Sequence, residues 1–374
     1  MAASLGFHRY DAAIGATQPD FEDAFLPAAR ALLAGSSPYT VDGYFYSPLV
    51  AVILLPVASS PLAVEYWTAL RTVAAIAACV LGGLACAPRG AWFRAGVVTI
   101  GALITLLWSW PATLDFWAGQ VEMLVLLALC GAALAELRGH RFLSGLALGV
   151  GAVIKTWPAL FGSWLLRAGA RGRVMQWLGV AAAAATAIGI AFFAGGPQAV
   201  RDMITAPFAG SSQPHLAANS AWGLPRLVFS DTTVATPLLV SPALQTITTV
   251  ALVLWMLCLF ALALVRPGSA FVALFNIAFV VVLLLPVSHY YYVVYALPVL
   301  WWWSAQILGG HRNAWVWSAF VTTLLWWVAV FRVPPAGDGF LTTTWPSELL
   351  IFGASAIAAT VSVMAAARIP VSTR

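Results

Sequence analysis

Charged side chains are scarce in this sequence, and lysine is almost absent. Only 8% of the 374 residues are charged and 62% are hydrophobic, whereas about a quarter of the residues in a soluble domain are charged. This composition excludes an ordinary soluble domain. Apolar stretches of about 17–25 residues, long enough to cross a bilayer, recur along the chain. The sequence therefore predicts an all-α polytopic membrane protein.

Cysteine is also rare, and the spacing of the cysteines excludes the usual zinc and redox motifs. Histidine and aspartate form no cluster with metal-ligand spacing either. No cofactor is predicted, and a divalent metal ion bound by carboxylates is left open. The arginines are scattered singly between apolar segments. The net positive charge is therefore attributed to membrane topology and not to nucleic-acid binding. The four cysteines all lie within predicted spans: Cys79, Cys86, Cys130 and Cys258.

Nine apolar segments have the length of a membrane span. Two further segments, 45–58 and 142–167, are short or interrupted. Together they predict a bundle of about 9–11 transmembrane helices. The nine predicted spans are 61–85, 93–110, 121–137, 174–194, 243–265, 270–287, 290–308, 314–331 and 347–366.

The arginines at alternate span ends predict the orientation. On this topology, 12 of the 13 acidic residues lie at or near the outer side. About half of these acidic residues are explained by the solvation of longer outer loops. The rest suggest a polar functional site at the outer face. We expect one integral membrane domain over 1–374, in the plasma membrane, with an outer loop and amphipathic helix at 1–44 and a long outer loop at 195–241. No internal repeat is visible.

The single lysine, Lys155, stands in the apolar run GVGAVIKTWPALF. Arginines flank both ends of 142–167, so this segment is expected to enter the membrane and return, broken near Pro158. Lys155 would lie at the tip of that hairpin, where an ammonium needs a partner. The partner is either an anionic ligand or a carboxylate, unless the side chain snorkels to the surface. Gly145 and Gly149 form a small-x-x-x-small face that indicates helix packing.

Acidic residues open the first amphipathic segment, PDFEDAFLPAARALLAG. The pattern of this segment predicts a helix over about 21–33, which ends at Gly35. Asp20 precedes this helix, where aspartate is a favoured N-cap. A structural cap and a chemical role are both open for Asp20 at this point.

Five segments of the chain carry distinctive motifs in a fixed order. The first is the acidic helix followed by PYT and YFYSPL, and the second is WAGQVEMLVLLAL. The others are RFLSGLALGVGAVIKTWPALF, NSAWGLPRL and LLPVSHYYYVVYALPVL. Taken in this order, the five resemble glycosyltransferase family 87, which commonly has asparagine at the position of Glu122. The resemblance covers about residues 20–300. It implies a C-type glycosyltransferase fold and a sugar donor carried on a polyprenyl phosphate.

The resemblance also implies roles for particular residues. An acid in the first outer loop acts as base or orients the acceptor hydroxyl; Asp20 holds that position and Asp23 is the alternative. Purely structural roles remain open for the other residues. Arg226 could be a solvated loop residue, His289 could lie at the membrane interface, and the amides of Asn219 and Gln120 could cap or pack helices. The implied set is Asp20, Asp23 and His289 for catalysis, Lys155 and Arg226 for the donor phosphate, and Asn219, Gln120 and Tyr46 for the sugar or acceptor.

These observations predict an inverting membrane glycosyltransferase that moves a sugar, with mannose as the family precedent, to a lipid or glycan acceptor at the outer face. A lipid or small-solute transporter is the alternative. Transporters, however, tend to show internal repeats and to carry charged residues near the midplane of the membrane. Family members usually begin with a span that anchors the acidic loop. Residues 1–19 contain no such apolar segment, so we expect either an upstream helix or an exported, unanchored N-terminus.

Overall fold

The computed structural model describes residues 18–168, 172–209, 220–232, 236–286, 288–311, 313–331 and 345–369. Within these ranges the chain forms fourteen α-helices and no strand. In chain order they are α1 (Leu26–Leu33), α2 (Pro48–Leu54), α3 (Ala63–Cys86), α4 (Trp92–Leu107), α5 (Trp110–Ala118), α6 (Glu122–Arg138), α7 (Arg141–Ile154), α8 (Arg173–Ala209), α9 (Gly223–Phe229), α10 (Pro242–Val265), α11 (Ala270–Leu284), α12 (Leu297–Leu308), α13 (Ala314–Trp326) and α14 (Trp345–Arg368).

Four described helices are long and apolar enough to cross a membrane, and α4 with α5 makes a fifth if this pair, bent by 65°, is one span. The all-α polytopic class is therefore confirmed. The larger total of about 9–11 transmembrane helices stays a prediction, because several predicted spans are short or interrupted. For example, 290–308 is a 3₁₀ helix over Tyr290–Ala296 followed by α12.

Local sequence explains where the helices begin and end. The Ser47 side chain accepts a hydrogen bond from the Leu49 backbone at the start of α2, and Ser241 accepts one from Leu244 at the start of α10. Proline occupies the first turn of both helices, where its missing N–H has no cost. Gly139 ends α6 in the left-handed conformation, at φ 85°, as a C-terminal glycine commonly does.

The chain divides into two compact units, and the first contains 1–81, 112–162 and 171–213. In this unit α7 packs against both α6 and α8. The approach to α8 is close: a methyl group added to Gly145 would lie 1.9 Å from the Gln176 carbonyl oxygen, and one on Gly149 would lie 2.8 Å from the Ala183 side chain. The predicted packing face of Gly145 and Gly149 is therefore confirmed.

The second unit contains 82–111, 163–170 and 214–374. Its core is α11, which packs against α10, α12 and α14. Trp303 Nε1 donates to Ser362 Oγ at 2.9 Å, and Ser362 Oγ donates to Asn276 Oδ1 at 2.7 Å. These buried bonds satisfy polar groups between helices, as an apolar environment requires.

The structure has helix on both sides of the predicted boundary between the span 174–194 and the outer loop 195–241. Helix α8 continues through Gly195 and Gly196, with a kink there, to Ala209. The predicted outer loop 195–241 is thus helical at its start and again in α9. Gly196 has φ 66°, so the kink lies at the glycine pair where the predicted span ended.

Candidate active site

Asp20 lies at the start of the amphipathic helix but does not cap it. The predicted helix is observed as a π-helical turn over Phe21–Phe25 followed by α1, and the Asp20 side chain makes no cap hydrogen bond. The backbone N–H of Gln18 instead donates to Glu22 Oε1 at 3.1 Å. Asp20 is half-buried, and its Oδ2 accepts a hydrogen bond from Gln120 Nε2. π-helical turns are frequent at functional sites, and here the carboxylate is directed towards another segment of the first unit.

Gly119 brings Gln120 close to Asp20. Gly119 has φ 79°, a conformation that favours glycine, and a methyl group added to it would lie 2.7 Å from Phe21 Cβ. Trp67 Nε1 donates to the Gly119 carbonyl at 2.8 Å, which also holds the turn in place. The turn after α5 therefore places its next residue, Gln120, beside the acidic helix.

Lys155 lies where α7 ends. Pro158 has no N–H to donate to the Ile154 carbonyl, so the helix cannot continue past Ile154. Lys155 is extended, with φ −141° and ψ 127°, and a 3₁₀ helix follows over Trp157–Leu166. The predicted break near Pro158 is confirmed.

The Lys155 side chain is buried and paired. It is only 7% exposed and Glu122 is 0% exposed; the ammonium forms an ion pair with Glu122 Oε1. Lys155 Nζ also donates to Gln120 Oε1 at 3.3 Å and lies 5.4 Å from the centre of the Tyr46 ring. Of the partners that the sequence left open, the structure shows the carboxylate. This pairing offsets the cost of burying an ammonium group in an apolar environment.

Tyr46 completes the group. Its hydroxyl donates to Gln120 Oε1 at 2.7 Å, and its ring packs edge-on against Phe25, with the ring centres 4.6 Å apart. Tyr39 donates its hydroxyl proton to the Tyr46 carbonyl at 3.0 Å. We call Asp20, Tyr46, Gln120, Glu122 and Lys155 the Gln120 cluster.

The surroundings of Asp20 perturb its acidity. Burial raises the pKa of Asp20 above its ordinary value, and the charges of Glu122 and Asp23 raise it further. The Gln120 hydrogen bond and the Lys155 charge oppose this rise in pKa but do not cancel it. A carboxylate with a raised pKa is a stronger base, which suits proton abstraction near neutral pH.

A second set of buried polar residues supports the cluster and is absent from the sequence-predicted site. Arg71 Nη1 donates to the Asp115 carbonyl at 3.0 Å, and Arg71 Nη2 donates to Gln18 Oε1 at 2.7 Å. Asp115 Oδ1 in turn accepts from the Glu122 backbone N–H at 3.2 Å. Charged residues inside apolar segments, here Arg71, Asp115 and Glu122, are the signal that would have found this set.

The family model for glycosyltransferase family 87 matches residues 44–288. The chain belongs to glycosyltransferase family 87. It is accordingly a membrane glycosyltransferase, with a sugar donor and an acceptor as its substrates. No curated protein matches the sequence.

The matched range of this glycosyltransferase includes most of the sequence-predicted site. Tyr46, Gln120 and Lys155, which the structure brings together, all lie within it. Asp20 and Asp23 precede it and His289 immediately follows it, so the roles expected of these three residues rest on the motif resemblance.

Of the remaining predicted residues, the structure describes Asp23, Arg226 and His289. Asp23 is exposed, one helical turn beyond Asp20. In the second unit, Arg226 is exposed on α9, and His289 stacks on Tyr291 with ring centres 5.1 Å apart. Asn219 lies outside the described residues. Within the described ranges, no group of three His, Cys, Asp or Glu residues is placed to hold a metal ion.

Proposed function

We propose that this family 87 protein transfers a sugar from a polyprenyl-phosphate donor to a lipid or glycan acceptor at the outer face of the plasma membrane, with inversion at the anomeric carbon. Mannose is the sugar to test first, on the precedent of the family. The observation that carries the proposal is the placement of Asp20. It is a half-buried carboxylate with a raised pKa, bonded to an amide that also bonds the lone lysine.

The proposed reaction is one displacement. The acceptor hydroxyl oxygen forms a bond to the anomeric carbon as the bond from that carbon to the phosphate oxygen breaks. The hydroxyl proton passes to Asp20, and the bonding electron pair leaves with the polyprenyl phosphate. A lipid phosphate is a good leaving group, so the step needs a base for the weak nucleophile more than it needs an acid.

The donor phosphate is proposed to contact cationic side chains. Arg226 is exposed on α9 and carries a guanidinium that can bind phosphate through two hydrogen bonds. Lys155 is also proposed, but Glu122 already neutralises its charge, so a phosphate there would have to share the ammonium with that carboxylate. His289 is proposed, on the motif resemblance, to contact the sugar or the acceptor.

The base is tested by Asp20→Asn in purified protein supplied with radiolabelled polyprenyl-phosphate mannose and a membrane lipid extract as acceptor. We expect transfer to fall by about 10²–10⁴-fold, the range that a general base contributes, while donor binding changes little. Asp23→Asn is the matched control: its side chain is exposed, and it should retain most of the activity.

Full transfer activity in Asp20→Asn would show that Asp20 is not the base. Loss in Asp23→Asn with retention in Asp20→Asn would assign the base to Asp23. Movement of labelled donor across a vesicle bilayer, with no glycosylated product, would favour the transporter alternative.

A further inference from the structure

The amide of Gln120 has a chemically fixed orientation. Its Oε1 accepts from two donors, the Tyr46 hydroxyl at 2.7 Å and the Lys155 ammonium at 3.3 Å. An ammonium has only donors and an ionised carboxylate only acceptors. A reversed amide would put its NH₂ against the Lys155 ammonium and its carbonyl against the Asp20 carboxylate. Only the observed orientation satisfies both neighbours.

The groups that set this orientation are themselves held in place. Lys155 is tied to the fully buried Glu122, and the Tyr46 ring packs on Phe25. The Gly119 turn fixes the backbone before Gln120. Gln120 is only 4% exposed, so its side chain has little freedom to turn elsewhere.

The amide controls one of the two oxygens of Asp20. Gln120 Nε2 donates to Oδ2, and among the residues that the structure describes no other side chain donates to this carboxylate. Oδ1 is therefore the oxygen left to accept a proton. Oδ2 keeps a donor that stabilises the ionised form.

We propose that Gln120 is a positioning residue, which Tyr46 and Lys155 orient so that it holds Asp20 Oδ2 and leaves Oδ1 to receive the proton of the acceptor hydroxyl. This inference rests on the proposed role of Asp20. It assigns Gln120 a different task from the contact with a sugar hydroxyl that the family resemblance suggested. It also gives Lys155 a task that needs no direct contact with the donor phosphate.

The proposal has a pH signature. Among the residues that the structure describes, the charged groups that act on Asp20 are Lys155, Glu122 and Asp23. Removal of Gln120 leaves all three in place and removes a hydrogen bond that lowers the pKa of Asp20. A base must be deprotonated to act, so activity is lost as the pH falls through its pKa. A higher pKa therefore moves the acidic limb of the rate profile upward.

The test compares the pH dependence of kcat/KM for the wild type, Gln120→Leu and Gln120→Glu. We expect Gln120→Leu to move the acidic limb up by about one to two pH units, the scale of a hydrogen bond to a charged group, with the donor KM within about threefold. Gln120→Glu places a second carboxylate oxygen against Asp20 and should move the limb further. The matched controls are Gln198→Leu and Gln198→Glu, at an exposed position on α8, and they should leave the limb in place.

A donor KM raised by more than about tenfold in Gln120→Leu, with an unmoved acidic limb, would overturn the proposal in favour of sugar binding. Thermal unfolding of each variant identifies any that fail to fold. Tyr46→Phe then provides a milder variant, because it removes one of the two donors to Oε1 and keeps the ring. We expect it to shift the limb in the same direction by less, and an unmoved limb there would count against the proposal.

A second readout separates this inference from the proposed function. The carboxyl band of Asp20 can be titrated by infrared difference spectroscopy, with Asp20→Asn as the reference that lacks it. An upward shift of this titration in Gln120→Leu supports the positioning role even if the wild type transfers no sugar, in which case the proposed function fails. A titration that does not move overturns the inference even if the wild type is an active transferase.

Discussion

At the scale of single residues, the ion pair of Lys155 and Glu122 explains how an apolar chain accommodates its only lysine. The ammonium is buried at the end of α7, and its charge is balanced by a carboxylate at the start of α6. Removing two charges from water costs several kcal/mol each, which their attraction largely offsets when the geometry is good. Such a pair adds little net stability, but either partner alone is strongly destabilising.

The variants Lys155→Met and Glu122→Leu, alone and combined, test this pair. Each single change leaves one uncompensated buried charge, so we expect each to lower the free energy of unfolding by about 3–5 kcal/mol. The double variant removes both charges and should regain most of that loss. Denaturant unfolding in detergent micelles, followed by tryptophan fluorescence, gives the four values.

The same four proteins separate stability from transfer. A double variant that is stable but inactive would show that the Lys155 charge acts on Gln120 or on the donor. If the single losses simply add in the double variant, the two side chains are not coupled and the pair does not explain the lysine.

At the scale of secondary-structure elements, the site depends on where helices stop. Helix α7 stops before Lys155, and α5 stops before Gly119 and Gln120. Each break places a polar side chain, Lys155 or Gln120, in the buried Gln120 cluster. Proline causes the first, and a glycine with positive φ the second.

We expect Gly119→Ala to abolish most transfer. Alanine at φ 79° is strained by roughly 1–2 kcal/mol, and its methyl group would lie 2.7 Å from Phe21 Cβ, so the turn or the acidic helix has to move. The displacement separates Gln120 from Asp20. Initial rates of sugar transfer, measured on folded protein, report the effect.

Gly139→Ala is the control for backbone strain alone. Gly139 has φ 85°, but a methyl group there meets no atom within 4 Å. It should lose some stability and keep its activity. Equal activity losses in both variants would mean that strain, and not the approach to Phe21, explains the result.

Sequence patterns predicted the elements better than their interruptions. The span 243–265 corresponds to α10, and 61–85 to α3, within two residues at each end. The 65° bend between α4 and α5 was not predicted, because the span was expected to end at residue 110 and no helix was assigned to 111–118. The 3₁₀ turns at Tyr290–Ala296 were missed because an apolar run does not by itself distinguish a 3₁₀ helix from an α-helix.

At the scale of the whole molecule, the proposed outer-face reaction depends on the orientation of the chain. The bias of arginines towards one set of span ends predicts that orientation. Asp42 falls on the predicted outer side and His140 on the predicted cytoplasmic side, and both are exposed. They are suitable positions for labelling.

We expect Asp42→Cys to react with a membrane-impermeant maleimide in intact cells, and His140→Cys to react only after the membrane is permeabilised. Cys79, Cys86 and Cys130 are buried, and Cys258→Ala removes the exposed native thiol. The reverse labelling pattern would place the acidic loop in the cytoplasm and contradict an outer-face reaction.

The sequence alone determined the class of the protein: an apolar composition with span-length segments requires helices in a bilayer, because only internal hydrogen bonds satisfy the backbone there. Motifs in order indicated the family, and glycine spacing indicated a helix-packing face, which the structure places against α8. Only the tertiary structure decided that Lys155 pairs with Glu122, 33 residues away, and that Gln120 bonds Asp20, 100 residues away. Which polar groups meet inside an apolar protein depends on how the helices pack and where they break, and a one-dimensional pattern does not specify those distances.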